Sequence, residues 1–319
     1  MKKVISILTC LCLLMTTGCS RQETIRFGAA GVGGMYYPFA NAFTELASKD
    51  ETGINWKVKS TAGSAANLRL LSDNYIELGI AQADLIEDAY YGKGTFHSGK
   101  YRGYKAVASL YPEACQIVVR KDSDITSLDD LEGKNVSVGE EESGTERNAT
   151  QILEMCGLPD NLVNTKNLDY TDAADQLAEK KIDAFFCTAG ICTTVIEELT
   201  KECDIRLLEI PESCRQKLKK AYSFYDDYVI PAGTYFGQTE DIQTISVQSV
   251  LLASSTLSEK TVQKLTASLF KHIKDIQYSI SINLQLTPQE AVKGITIPFH
   301  PGAETYYKLE GVELPEVES

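Results

Sequence analysis

Histidine and tryptophan are scarce in this chain of 319 residues, at three and one. His97, His272 and His300 stand far apart, so no histidine-rich metal site is in view. None of the nine cysteines forms a Cys-x-x-Cys pair, which removes zinc-ribbon and thioredoxin-type chemistry. Gly31-Val32-Gly33-Gly34 is followed by Met35 and Tyr36, so the GxGxxG dinucleotide fingerprint fails. Neither a glycine-lysine-serine/threonine phosphate loop nor a GxSxG elbow occurs, and no cofactor is expected. Positive charge is short as well: 31 Lys and Arg face 44 Asp and Glu, a formal charge of −13. Nucleic acid, whose binding needs cations against phosphates, is not an expected partner. A small anion in a locally positive cleft stays compatible with that balance. What is present, 43% hydrophobic and 24% charged residues, is the composition of a globular protein of one large or two ordinary domains.

The first residues differ in kind from the rest. Lys2 and Lys3 precede an apolar run from Val4 to Met15, followed by Thr16, Thr17, Gly18 and Cys19. The run is too short and wrongly flanked for a membrane span and has the layout of a secretory signal. Small residues before a cysteine resemble a bacterial lipobox, although Thr16 stands where leucine is usual. The expectation is a signal peptide over 1–18, a diacylglycerol thioether on Cys19, and a tether over 19–23. A lipid so attached anchors a protein at the membrane, at about 0.8 kcal/mol per buried methylene. Six cysteines follow: Cys115, Cys156, Cys187, Cys192, Cys203 and Cys214. Outside the cytoplasm they are able to form disulfides. The sequence leaves the pairing open; Cys203–Cys214 is the first pair to test, and Cys115, Cys156 and Cys187, within apolar runs, read as buried thiols.

Strand and helix signals alternate, which points to an α/β fold built from parallel-sheet units. Strands are expected at 24–29, 54–61, 76–82, 135–139, 182–187 and 205–210. Helices are expected at 35–47, 64–71, 84–91, 128–131, 146–156 and 170–180, then from the 188–190 loop to 199, and at 213–222, 259–278 and 288–293. The apolar stretches 106–120, bent at Pro112, and 245–254 read as two strands crossing between two lobes. That assigns 24–115 plus 245–319 to one lobe and 116–244 to the other.

One device recurs. A strand ends in a loop of small residues that opens a helix at Gly31 to Gly34, Thr61-Ala62-Gly63-Ser64, Ser143-Gly144-Thr145 and Thr188-Ala189-Gly190. Strand carboxyl ends in open α/β sheets line one crevice, and helix N-termini attract anions through free N–H groups and the helix dipole. Ser64, Ser143 and Thr145 add hydroxyls there; the same residues commonly serve only as helix caps. Tyr36, Tyr37, Tyr111 and Tyr235 sit beside these loops. Arg69 and Arg147 lie early in their helices, where each pairs either with a ligand carboxylate or with an acid at the surface or across the lobes. Glu140-Glu141-Glu142 reads as a solvated charge run, since three adjacent carboxylates repel one another.

These residues resemble a known family. Gly33-Gly34-Met35-Tyr36-Tyr37-Pro38 and Thr61-Ala62-Gly63-Ser64-Ala65-Ala66-Asn67-Leu68-Arg69-Leu70-Leu71 look like two signatures of the TAXI proteins (TRAP-associated extracytoplasmic immunogenic proteins). The similarity runs on in order through Ile80-Ala81-Gln82-Ala83-Asp84, Ala108-Ser109-Leu110-Tyr111-Pro112-Glu113, Val136-Ser137-Val138-Gly139 and Ser143-Gly144-Thr145-Glu146. It continues at Ile182-Asp183-Ala184-Phe185-Phe186, Ile230-Pro231-Ala232-Gly233-Thr234-Tyr235 and Ile297-Pro298-Phe299-His300-Pro301-Gly302-Ala303. The resemblance implies a type II periplasmic-binding-protein fold and a monomeric substrate receptor for a TRAP permease, not an enzyme. Glutamate or a related small carboxylate is the implied ligand. It would be held by Gly33, Gly34, Met35, Ser64, Ser143, Gly144, Thr145, Ala189, Gly190 and Tyr235, read by Asn67 and Gln82, and walled by Tyr36. Val32, where threonine is frequent, removes one hydroxyl donor. A receptor for an ABC importer or a sensor kinase is the rival reading. An enzyme with Cys187 as nucleophile and His300 as its base is a more distant one.

Overall fold

The computed structural model describes residues 23–159, 161–280, 282, 284 and 286–317. The signal peptide, Cys19 and most of the tether lie outside the described residues. In chain order the elements are β1 (Glu23–Gly28), α1 (Tyr36–Asp50), β2 (Ile54–Lys59), α2 (Ser64–Ser72), β3 (Leu78–Gln82) and α3 (Ala83–Tyr91). Then follow β4 (Tyr104–Arg120), β5 (Asn135–Ser137), α4 (Gly144–Met155), β6 (Asn164–Lys166), α5 (Tyr170–Ala178), β7 (Ala184–Ala189) and α6 (Thr194–Glu202). The chain continues with β8 (Ile205–Leu207), α7 (Glu212–Ala221), β9 (Asp226–Ile230), β10 (Ile242–Ser254), α8 (Glu259–Ile280) and α9 (Pro301–Leu309).

The strands form one curled sheet in the order β2-β1-β3-β10-β4-β7-β5-β6, with β8 on β4 and β9 on β10. β1, β2 and β3 are parallel, as are β5, β6 and β7, whereas β4 and β10 run antiparallel to their neighbours. Both expected crossings are therefore present. Each is a strand longer than one lobe needs, with its two ends in different surroundings. Val250 to Ala253 of β10 pack into the core beneath β1 and α1, while Ile245 and Val247 pack with Ile152 and Leu218 in a second core.

The bend expected at Pro112 is a register shift between β4 and β10. Proline has no N–H to give the ladder. At this point the Ser249 hydroxyl stands in for a ladder partner, accepting from Tyr111 N (3.3 Å) and donating to Tyr111 O (2.7 Å). Beyond this shift β4 alternates between the two cores, with Cys115, Ile117 and Val119 facing the second and Ala114 and Val118 the first.

Some local expectations fail for identifiable reasons. The 288–293 segment forms turns, not a helix, and Thr287 caps it from outside through Glu290 N. α9 was missed although Pro301 stands at its start and the buried His300 caps it, Nδ1 accepting from Gly302 N at 3.2 Å. β9 was missed because its exposed Asp226 and Asp227 hide the alternation of an edge strand. The cysteine expectation is also corrected: Cys156 bonds to Cys214 with Cα atoms 5.4 Å apart, and Cys203 is a free thiol. Cys203 packs against the first core while Cys214 faces the second, so proximity in sequence did not bring them together. Cys115 and Cys187 are buried thiols.

The Cys156–Cys214 bond closes a loop of 58 residues and ties α4 to α7 over the second core. Reduction is expected to lower stability by about 2–4 kcal/mol. Urea unfolding with and without reductant measures this, and peptide mapping should return a 156–214 crosslink with no 203–214 product.

Candidate functional site

The cleft lies where the two lobes meet, and five helices begin at it. Met35, Gly63, Gln82, Ser143 and Asp169 precede α1, α2, α3, α4 and α5, and residues at each of these junctions line a common cavity. The first turn of any helix presents N–H groups with no intrahelical acceptor, so donors from both lobes face one space. Three of the four loops singled out in the sequence open helices there. The fourth does not: Ala189 ends β7 at the cavity, but α6 begins only at Thr194. The space accommodates about 50 Å³ of water centres. A single water needs roughly 10–15 Å³ on that measure, so the space suits a small solute and not a peptide.

Of the expected site residues, Gly34, Met35, Tyr36, Ser64, Gln82, Ser143, Gly144, Thr145 and Ala189 line the cavity. Four do not. Asn67 is fully buried in α2, where its amide donates to Gly28 O (3.2 Å) and Ile80 O (2.9 Å) and its Oδ1 accepts from Thr61 (2.7 Å). It ties strand ends together and has no group left for a solute. Gly33 faces Thr171 and Val195, and Gly190 sits against Met35 and Tyr111. Tyr235 is spent inside the second lobe, donating to Gln116 Oε1 (2.5 Å) and accepting from Thr193 N (3.2 Å).

The hydroxyls are also more committed than the sequence showed. Ser143 Oγ accepts from Glu146 N (3.0 Å) as an N-cap, and Ser64 Oγ accepts from Gln82 N (3.1 Å). Ser143 keeps its own proton to donate, while the Ser64 hydroxyl also bonds the Tyr36 phenol. Thr145 keeps none. Tyr170 donates to Thr188 O (3.0 Å), so Thr145 supplies the proton of the 2.5 Å contact between their hydroxyls, while its Oγ1 accepts from Thr188 N.

Sequence reasoning missed the centre of the site. Glu113, on β4 just past the Pro112 bend, is buried and lines the cavity; its Oε2 accepts from Tyr36 OH (3.1 Å) and Gln82 Nε2 (2.9 Å). Burial pushes its carboxyl up to about 8, against the lowering effect of those two hydrogen bonds. The signal was a single carboxylate within an apolar strand, directly after a proline. Tyr170, Asp169 and Glu140 line the cavity too. Glu140, at the start of the acidic run, is half-buried and borders the cavity, and this partial burial raises its carboxyl, with Asp169 adding to the effect. Among the described residues, no lysine or arginine lines this cavity.

Both candidate arginines are used between the lobes. Arg69 of α2 pairs with Glu142 on the loop before α4, and the adjacent Ala65 N donates to Glu142 O (3.1 Å). Arg147 of α4 reaches Asp84 (Nε to Oδ2, 3.1 Å) and Asp88 on α3. Burial lifts Asp84 to about 6, with the Arg147 charge opposing that rise. The seam is close enough that a Cβ at Gly144 would overlap the Gln82 amide.

The profile of the NMT1-like family matches residues 27–311, which spans both lobes and the cleft. The chain belongs to the NMT1-like family. Solved structures similar to this NMT1-like chain share its fold at low identity. A protein from Bordetella bronchiseptica RB50 is 16% identical, with 93% of this chain and 92% of that chain covered and a TM-score of 0.54. A putative L-cystine ABC transporter from Listeria monocytogenes is 15% identical over 81% and 94%, with a TM-score of 0.52. The alkanesulfonate-binding protein from Xanthomonas axonopodis pv. citri bound to MOPS is 15% identical over 90% and 83%, with a TM-score of 0.51. The NMT1-like chain therefore has the two-lobed periplasmic-binding-protein fold, with β4 and β10 as its crossings.

Replacing Arg147 with alanine leaves Asp84 buried beside Asp88 without its cation. Breaking a buried pair in this way costs about 3 kcal/mol. The expected readings are a lower urea midpoint and a larger radius of gyration in small-angle scattering; an unchanged radius would show that this pair does not hold the lobes together.

Proposed function

We propose that this chain is the extracytoplasmic substrate receptor of a TRAP-type transporter, capturing a small carboxylate between its lobes and delivering it to a membrane permease. The observation that carries the reading is the convergence of five helix N-termini on one cavity that, among the described residues, no basic side chain lines. Such a cavity holds an anion by backbone N–H groups and helix dipoles, with the Ser143 hydroxyl as a further donor. The ordered TAXI signatures supply the transporter class and favour glutamate or a related acid. The lipobox-like segment before Cys19 supplies the anchor, a lipid on that cysteine.

The receptor reading is preferred over an enzyme because the nucleophile is missing its activation. Burial pushes the Cys115 thiol up to about 12 and the Cys187 thiol up as well. His300, the base such an enzyme would need, is occupied as the cap of α9. A thiol in that state is not a nucleophile.

A second reading, a receptor for an ABC importer, is favoured by the Listeria neighbour, a putative L-cystine ABC transporter. Gene order separates the two, since a TRAP permease gene beside this one fits only the first.

Calorimetry and thermal shift with glutamate, glutamine and C4–C5 dicarboxylates test the proposal. At a hundred times Kd, a true ligand adds about 2.7 kcal/mol to stability. Failure of every such acid to bind below millimolar concentration would overturn the carboxylate assignment. Cys187→Ser should leave binding intact.

A further inference from the structure

Glu113 has no part in the receptor reading, yet among the described residues it is the one buried carboxyl in the cavity wall, at 2% exposed. Its two oxygens differ. Oε2 is filled, because Tyr36 OH (3.1 Å) and Gln82 Nε2 (2.9 Å) both donate to it. No described residue donates to Oε1. Nor does any described lysine, arginine or histidine line the cavity to balance a charge there. A buried carboxylate without a cation is costly, and such a group takes up a proton instead. An ionised Glu113 would also compete with an anionic solute for the same helix N-termini, and repel it.

We infer that Glu113 meets the solute as a neutral acid, with its proton on Oε1 and donated to the solute's carboxylate. The inference rests on the receptor reading and adds to it a side-chain donor and a dependence on pH. The hydrogen bonds settle where the proton sits: Oε2 already accepts two, so Oε1 is the oxygen left to carry it. A carboxylic acid kept neutral by its surroundings can serve as a donor to an anion at neutral pH. The lone acid of the cavity wall then strengthens the hold on a negative group without opposing it.

The groups around Glu113 supply no positive charge. Tyr36 on α1, Tyr111 and Cys115 on β4, Tyr170 on α5 and Cys187 on β7 are held neutral by burial first, with a charge on Glu113 as a lesser cause. Asp84 on α3, itself paired with Arg147 of α4, disfavours a charge on Glu113. Glu140 and Asp169 border the same space with charge of the same sign, and Val247, opposite on β10, has none. Burial lifts the Glu113 carboxyl to about 8, against the lowering effect of Gln82 and Tyr36. The empty site is therefore mostly protonated at neutral pH, and a bound carboxylate raises the group further. Affinity is level below the Glu113 value. Above it, binding draws a proton from solvent, and affinity falls toward about tenfold for each further pH unit.

The test compares the wild type with Glu113→Gln, whose amide oxygen can keep the two accepted bonds while its NH2 group donates at any pH. Calorimetry with L-glutamate, glutarate and succinate is run at pH 7 and pH 9 in buffers of different ionisation enthalpy. The difference between the two proteins cancels any titration of the solute itself. Relative to the variant, wild-type affinity is expected to fall about tenfold from pH 7 to pH 9, with proton uptake at pH 9 approaching one per solute. Glu113→Ala, which has no donor, should bind about threefold or more weakly than Glu113→Gln at pH 7. Equal pH profiles in wild type and Glu113→Gln, or an affinity that rises with pH in the wild type alone, overturn the role of Glu113 and leave the receptor reading standing. Infrared spectra of the empty protein need no solute: a protonated-acid carbonyl band is expected at pH 7, lost at pH 9 and missing from Glu113→Gln. Absence of that band overturns the inference by itself. If no acid of the panel binds, the receptor reading falls and this inference with it.

Discussion

The structure depends on one constraint: two long antiparallel strands, β4 and β10, serve both lobes and must turn between them. Because β4 and β10 pair along most of their length, the strand ends of both lobes are held facing one another. Helices that follow those ends start at the cleft by necessity, and their N–H groups come with them. The dipoles are thus consequences of topology, independent of any one side chain. On the proposed reading, this is how a chain with a formal charge of −13 draws an anion into a cavity that no lysine or arginine among the described residues lines.

Closure adds a second layer. The lobes meet through Arg69–Glu142, Arg147 with Asp84 and Asp88, and the Ala65–Glu142 backbone bond. Gly144 permits the approach, because any side chain there would meet Gln82. The interlobe pairs therefore consume the arginines that a ligand carboxylate would otherwise use. Charge at the seam and charge in the cavity are separate: cations hold the lobes, and the cavity keeps donors and one buried carboxyl, Glu113.

Much of the fold was legible in the sequence, because its signals are local. Strand-loop-helix junctions at Gly31 to Gly34, at Gly63 and at Ser143 announce themselves through small residues, and the two crossings through apolar runs too long for one lobe. The site was only partly legible. Asn67 and Ser64 share the buried face of α2, three residues apart, yet Asn67 turns to the ends of β1 and β3 while Ser64 borders the cavity. Which of the two a helix offers to its cleft depends on how deeply the strands sit beneath it. Glu113 was hidden for a related reason: a lone acid in a strand gives no periodic signal, and its meaning comes from Tyr36 and Gln82, 77 and 31 residues away. The cysteine pairing failed for the same cause, since the partner of Cys214 was chosen by packing on the second core.

A crystal structure of the protein with its solute enclosed tests the central claim most directly. The account predicts carboxylate oxygens within hydrogen-bond reach of first-turn N–H groups on at least one helix from each lobe. A solute seated away from those turns, or one lacking any negative group, would contradict it.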